Sequence, residues 1–185
     1  MENASSATAR YSRGAVILHW LIAVLIVLNT VAAWVSEDMP KEDRSIIIGN
    51  HKAIGITIIL LTLVRIAWRL THQAPPLVDT LKAWEAALAK VTHVGFYFLM
   101  LALPLSGWAM SSSFSQGKPI SMFGLFNMPA LPVAYDKATN GMFHEMHEIG
   151  ANLMVLLFVL HVVAALKHHW IDKDTTMRRM VPWLK

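Results

Sequence analysis

From Val16 to Val35 the chain runs twenty residues without an Asp, Glu, Lys or Arg, and Ile149 to Leu166 repeats the pattern. At about 1.5 Å of rise per residue, a helix of that length covers a hydrocarbon layer about 30 Å thick. Inside such a layer a helix satisfies its own backbone N–H and C=O groups, which few other conformations do. Two of the elements are therefore membrane helices, and the rest of the chain must be compatible with them.

Two further segments meet that condition. Val91 to Ser113 carries no charge and contains Pro104, whose missing N–H is tolerated where neighbouring helices serve the freed carbonyl. Ile46 to Leu70 has Lys52 near one end and Arg65 and Arg69 near the other. Its uncharged centre is Ala53 to Val64, and the long basic side chains at its ends can snorkel to the interfaces. The expectation is an all-α membrane protein: a four-helix transmembrane bundle, one domain over 1–185, with spans at about 16–35, 46–70, 91–113 and 147–170.

Composition agrees and narrows the chemistry. Hydrophobic residues make up 55% of the chain and charged ones 15%, with mean hydropathy +0.46, so membrane lipid is the expected surrounding. Cysteine is absent, which excludes disulfides, thiolate metal sites, iron–sulfur clusters and covalently attached c-type haem. The net charge of +4 and pI near 9.5 do not imply nucleic acid, because the basic residues flank apolar runs and form no stripe. Eleven Lys and Arg fall on the side of the termini, from Arg10 to Lys185. The other side has Lys41, Arg44, Lys52, Lys118 and Lys137, so both termini are expected in the cytoplasm of a bacterial inner membrane. Arg10 and Arg13 also resemble the start of a secretory signal. The run after them is longer than a signal's apolar core, and cleavage near Ala32 or Ala33 would discard His19, so the first span is expected to be retained.

Between the spans the sequence predicts an acidic turn at Ser36 to Ser45 and a stop at Pro75 and Pro76. Leu81, Trp84, Leu88 and Val91 recur at helical spacing, which predicts an amphipathic segment lying along the inner interface. Gln116 to Asn140, rich in Gly and Pro, reads as an irregular external loop with a single helical turn. Trp20, Trp34, Trp84 and Trp170 fit interfacial belts, and the methionines fit packing.

The histidines carry the chemistry. His147 and His161 lie fourteen residues apart, close to four turns, so they share one helix face about 21 Å apart along its axis. His19 sits at the inner end of the first span, at the depth His161 reaches from the other direction. His51 opens the second span on the outer side, level with His147. A porphyrin held between helices needs one axial nitrogen from each side at equal height, so the pattern fits two bis-His haems, one near each surface. A lone His near a helix end is usually an interfacial or packing residue, but two depth-matched pairs are not explained that way. The competing reading, zinc at His144, Glu145 and His147, lacks the H-E-x-x-H spacing.

Other positions take supporting roles. Arg65 and Arg69 stand where guanidinium groups pair with propionates of an inner haem, with Lys52 the outer equivalent, and snorkelling is the alternative for all three. His93, at inner depth, is a hydrogen-bond partner or an alternative inner ligand. His168, seven residues past His161, either contacts a quinone or titrates at the surface.

Several motifs together resemble one family. LHW at Leu18 to Trp20, NHKAIG at Asn50 to Gly55, LVRIAWRL at Leu63 to Leu70, HVGFYFLMLALPLSGW at His93 to Trp108, MHEIGANL at Met146 to Leu153 and the tail from Leu160 to Pro182 resemble the bacterial di-haem cytochrome b561 family. That family is related to the cytochrome b subunits of nickel hydrogenases, and the resemblance extends over nearly the whole chain. It implies two haem b groups, the inner on His19 and His161 and the outer on His51 and His147, the same pairs that depth selects. With both axial positions filled, such iron has no open site and works in outer-sphere electron transfer.

The resemblance is nearest to superoxide-oxidising members and implies an electron passed from periplasmic superoxide to ubiquinone. The alternative it leaves is a subunit that links a dehydrogenase or hydrogenase partner protein to the quinone pool. An anionic substrate calls for cationic steering, for which Lys52, Lys118 and Lys137 are the candidates. The external face as a whole opposes this, with five cations against seven anions.

Overall fold

A computed structural model describes residues 10–78, 81–181 and 184. Lys185 and Pro182, counted above in the termini-side charge and the tail motif, lie outside the described residues. Four helices carry the fold: α1 (Arg13–Val35), α2 (Lys41–Thr71), α3 (Ala83–Phe114) and α4 (Lys137–Trp170). All four are long and apolar enough to cross a membrane. Their alternating direction puts the described ends of the chain at one end of the bundle, here the terminal end. A two-stranded antiparallel hairpin, β1 (Ile120–Met122) and β2 (Phe126–Met128), marks the opposite, hairpin end.

Each helix begins and ends for local reasons. Ser12 caps α1, its hydroxyl accepting from Ala15 N at 3.4 Å. Asp136 caps α4, accepting from Thr139 N and Oγ1 at 2.9 Å each; these bonds hold its carboxyl below the usual carboxylate range. Pro75 and Pro76 follow the end of α2, and Pro104 is carried inside α3.

Three sequence expectations are corrected in detail. The amphipathic segment around Trp84 and Leu88 is not a separate interfacial helix. No breaker separates Lys90 from Val91, and α3 runs unbroken from Ala83 to Phe114. Helix α4 starts at Lys137, well before the apolar run, because the Asp136 cap nucleates it there. The segment Gln116 to Asn140, expected to be an irregular external loop, is also more ordered than that. Phe123 and Gly124 take positive φ (56° and 76°), which turns the chain back into the hairpin.

Among the described residues the most extensive helix packing runs in series, α1 against α2, α2 against α3 and α3 against α4. Helix α2 is the most enclosed of the four. A core of Ile22, Ile58, Leu99, Met100 and Met154 fills mid-bundle, and Ile120 and Met122 of the hairpin bury against Ala53 and Ile56 of α2. Most other apolar side chains face outward, as a lipid solvent permits. The four belt tryptophans are all exposed, at opposite ends of the bundle. The tail folds under the terminal end, where Met180 O accepts from Trp20 Nε1 at 2.8 Å and the buried Arg179 guanidinium donates to the Pro76 carbonyl.

Candidate functional site

The histidines of the two predicted pairs meet across the space that the helices leave open. His19 of α1 faces His161 of α4 with ring centres 6.3 Å apart, and His51 of α2 faces His147 of α4 at 6.1 Å. A metal held between two imidazoles would call for a particular distance. Bonds of about 2.0 Å, with each ring centre about 1.1 Å beyond its nitrogen, put the centres roughly 6.2 Å apart. Both ring-centre separations match that value.

At the hairpin end the rings are oriented by main chain. His51 Nδ1 lies 3.2 Å from Asn29 O and His147 Nδ1 3.0 Å from Leu103 O. A carbonyl only accepts, so both Nδ1 atoms carry the proton and both Nε2 lone pairs are left for a ligand. Gly107 makes the room for His147: a Cβ there would lie 2.8 Å from His147 Cε1 and 2.9 Å from its Nδ1. Ser106 completes the wall, donating to Leu103 O at 2.7 Å with its hydroxyl 3.4 Å from His147 Nδ1.

The terminal end is built differently. Arg65 Nη2 lies 3.3 Å from His19 Nδ1, and because a guanidinium only donates, this nitrogen accepts. Arg65 Nε also donates to Tyr97 Oη at 3.2 Å. His93 adds a third imidazole, its ring centre 6.0 Å from that of His161, and Phe96 meets His161 edge-on at 5.4 Å. Arg65 and Arg69 line one hollow with Tyr11, Trp68, His72 and Tyr97, so the two candidate propionate partners do converge.

Lys52 and Lys118 converge as well. They line a cleft of about 350 Å³ at the hairpin end with Asn50, Ser111, Ser115 and Ser121, and no carboxylate belongs to its lining. Lys137, the first residue of α4, is exposed and outside that cleft. His168 is enclosed by carboxylates, its Nδ1 2.9 Å from both Asp172 Oδ2 and Asp174 Oδ2. Lys167 ties the same Asp172 to Glu85 of α3 at 2.7 Å each.

The zinc alternative gains nothing. His144 is exposed and meets Glu148 at 3.9 Å. Among the described residues, the metal-type side chains that gather in a group of three are His168, Asp172 and Asp174, where the Lys167 ammonium already sits on Asp172.

Sequence reading missed Asn29, Gly107 and Tyr97. A lone carboxamide inside an uncharged run was the available signal for Asn29. Nothing in spacing marks Gly107 or Tyr97, because both act by contact with another helix.

Comparison with known proteins gives a consistent result. The family model described as prokaryotic cytochrome b561 matches residues 10–183. Cytochrome b561 homolog 1 of Escherichia coli is 30% identical over 175 residues, covering 94% of this chain and 97% of that protein. A probable superoxide oxidase CybB of Yersinia pestis is 31% identical over 177 residues, 94% of this chain and 96% of that protein. Cytochrome b561 homolog 2 of Escherichia coli is 36% identical over 131 residues, 71% of this chain and 68% of that protein.

Proposed function

The chain belongs to the prokaryotic cytochrome b561 family of membrane electron-transfer proteins, and from that premise we propose that it carries two haem b groups and oxidises superoxide at the expense of ubiquinone. The observation that carries the reading is the pair of imidazole separations, 6.3 Å and 6.1 Å, repeated at two levels. His19 and His161 are the ligands at the terminal end, His51 and His147 those at the hairpin end. Bound there, haem b supplies one-electron outer-sphere transfer between the two membrane faces.

The residues divide the remaining work. With the termini in the cytoplasm, the cleft lined by Lys52 and Lys118 opens to the periplasm one residue from His51. An anion entering it meets two ammonium groups and serine hydroxyls with no carboxylate among them, so a local positive field persists on a face whose total charge is negative. Each superoxide gives up one electron and leaves as dioxygen; two such events, with two protons, convert ubiquinone to ubiquinol. At the cytoplasmic end Arg65 would release His19 Nδ1 for His19 to ligate through Nε2, and Arg65 and Arg69 would pair with a haem propionate. His168, with its Nδ1 held by Asp172 and Asp174, is the candidate quinone contact.

Pyridine haemochrome assay of the purified protein should give two haem b per chain, and superoxide should reduce them rapidly. Lys52→Gln and Lys118→Gln should each slow that reduction several-fold and flatten its salt dependence, while Lys137→Gln changes it least. Unchanged kinetics in all three would remove the cleft as a guide for superoxide. Stable co-purification with a soluble dehydrogenase or hydrogenase would favour the linking-subunit alternative instead.

A further inference from the structure

Asn29 is the single carboxamide in the run Val16–Val35, and it is 8% exposed. Its main-chain carbonyl accepts from His51 Nδ1 at 3.2 Å, and its side-chain Nδ2 donates to His51 O at 3.3 Å. One residue of α1 thus grips one residue of α2 twice, once by the ring and once by the peptide. Its Oδ1 is buried with no hydrogen-bond partner among the described residues. Leucine has the same branched heavy-atom skeleton and leaves no acceptor unserved, so burial energetics do not account for an amide at this position.

The geometry points to Asn29 as a positioning residue for the outer centre. It holds His51 so that Nδ1 stays protonated on a carbonyl and Nε2 stays turned to His147. The inference rests on the two-haem reading above. A ring N–H donated to a carbonyl raises the basicity of the opposite nitrogen, and a more basic axial ligand favours oxidised iron. The grip therefore lowers the reduction potential of the outer centre and leaves the inner one alone. At the other level His19 Nδ1 accepts from Arg65 and lacks this device.

The amide is removable by two substitutions of opposite steric effect, Asn29→Leu, which keeps the branched shape and adds bulk, and Asn29→Ala, which leaves space. The α1 carbonyl survives in both, but the bond that fixes it against His51 is lost. Redox titration of the purified holoprotein, followed by visible absorbance and low-spin electron paramagnetic resonance, reads each centre separately once His147→Leu identifies the outer signals. Both variants should raise the outer midpoint and broaden or shift its low-spin signal, with the inner centre unmoved. Selective loss of the outer haem in either variant has the same meaning, a His51 no longer held. Unchanged outer signals in both variants, shifts of opposite sign in the two, or loss of both haems together would overturn the assignment. Failure of the underlying reading is separately visible: the unsubstituted protein would then lack two haems, or His147→Leu would leave the spectrum intact.

Discussion

The two histidine pairs have nearly equal spacings but unlike surroundings. At the hairpin end, His51 and His147 each donate Nδ1 to a main-chain carbonyl, and the helices themselves fix the ring orientation. At the terminal end, His19 meets a guanidinium, His161 is ringed by His19, His93 and Phe96, and no main-chain bond among the described residues orients either ring. A backbone carbonyl moves only with its helix. A guanidinium on a flexible stem moves alone and carries full charge. The hairpin-end level, the outer one in the proposed orientation, is therefore set by rigid geometry and the terminal-end, inner level by charge, and substitutions should affect the two in different ways.

The largest effects separate the levels outright. His147→Leu should remove the outer haem and keep the inner, and His161→Leu should do the reverse, each halving the haem content measured by pyridine haemochrome. Either variant retaining two haems with unaltered spectra would dissolve the comparison, since the pairs would not then be ligand pairs. The inner level offers one complication that the outer does not: His93 stands as close to His161 as His19 does. His19→Leu decides between them, and loss of the inner haem in that variant with His93 intact assigns the role to His19.

Gly107→Ala tests the rigid half. The added methyl would press on His147 at 2.8 Å, and the ring is held between that position and the Leu103 carbonyl. Overpacking of this kind costs about 1–3 kcal/mol, and here it falls on one ligand. The expected outcome is reduced occupancy or an altered low-spin signal at the outer haem with the inner haem unchanged. An equal effect on both would mean that the outer wall is no more rigid than the rest of the bundle.

The sequence made the bundle legible because a bilayer imposes a length and a polarity that charge-free runs reveal directly, and it made the pairs legible because depth is a one-dimensional coordinate readable from position along a span. Lys52 and Lys118 were legible as charges but not as neighbours. Their meeting depends on a hairpin turn at Phe123 and Gly124, and a positive φ at Phe123 has no sequence signature. The full length of α3 was obscured by charge at Glu85 and Lys90, which marks where a helix leaves lipid and not where it ends. Gly107 and Tyr97 were invisible because their roles lie in what faces them from other helices, α4 for Gly107 and α2 for Tyr97.

Arg65→Met tests the charged half and should have the smallest effect, a shift without a loss. The side chain keeps its apolar stem but gives up both the bond to Tyr97 Oη and the one to His19 Nδ1. Two consequences follow at the inner centre. Assembly changes in two opposed ways: His19 no longer has to exchange a partner in order to ligate through Nε2, and the propionate loses one of its two guanidinium partners. Removal of a fixed positive charge beside the iron makes the oxidised state easier to hold, which lowers the inner midpoint. The charge acts at every stage of the redox cycle while the donor matters only for assembly, so a titration of the assembled protein should read the second effect: the inner midpoint falls and the outer one stays. Arg65→Lys, which restores the charge without the planar fork, should return most of the potential. If the lysine variant behaves like the methionine one, the inner level depends on guanidinium geometry as strictly as the outer depends on its carbonyls, and the contrast between a rigid end and a charged end fails.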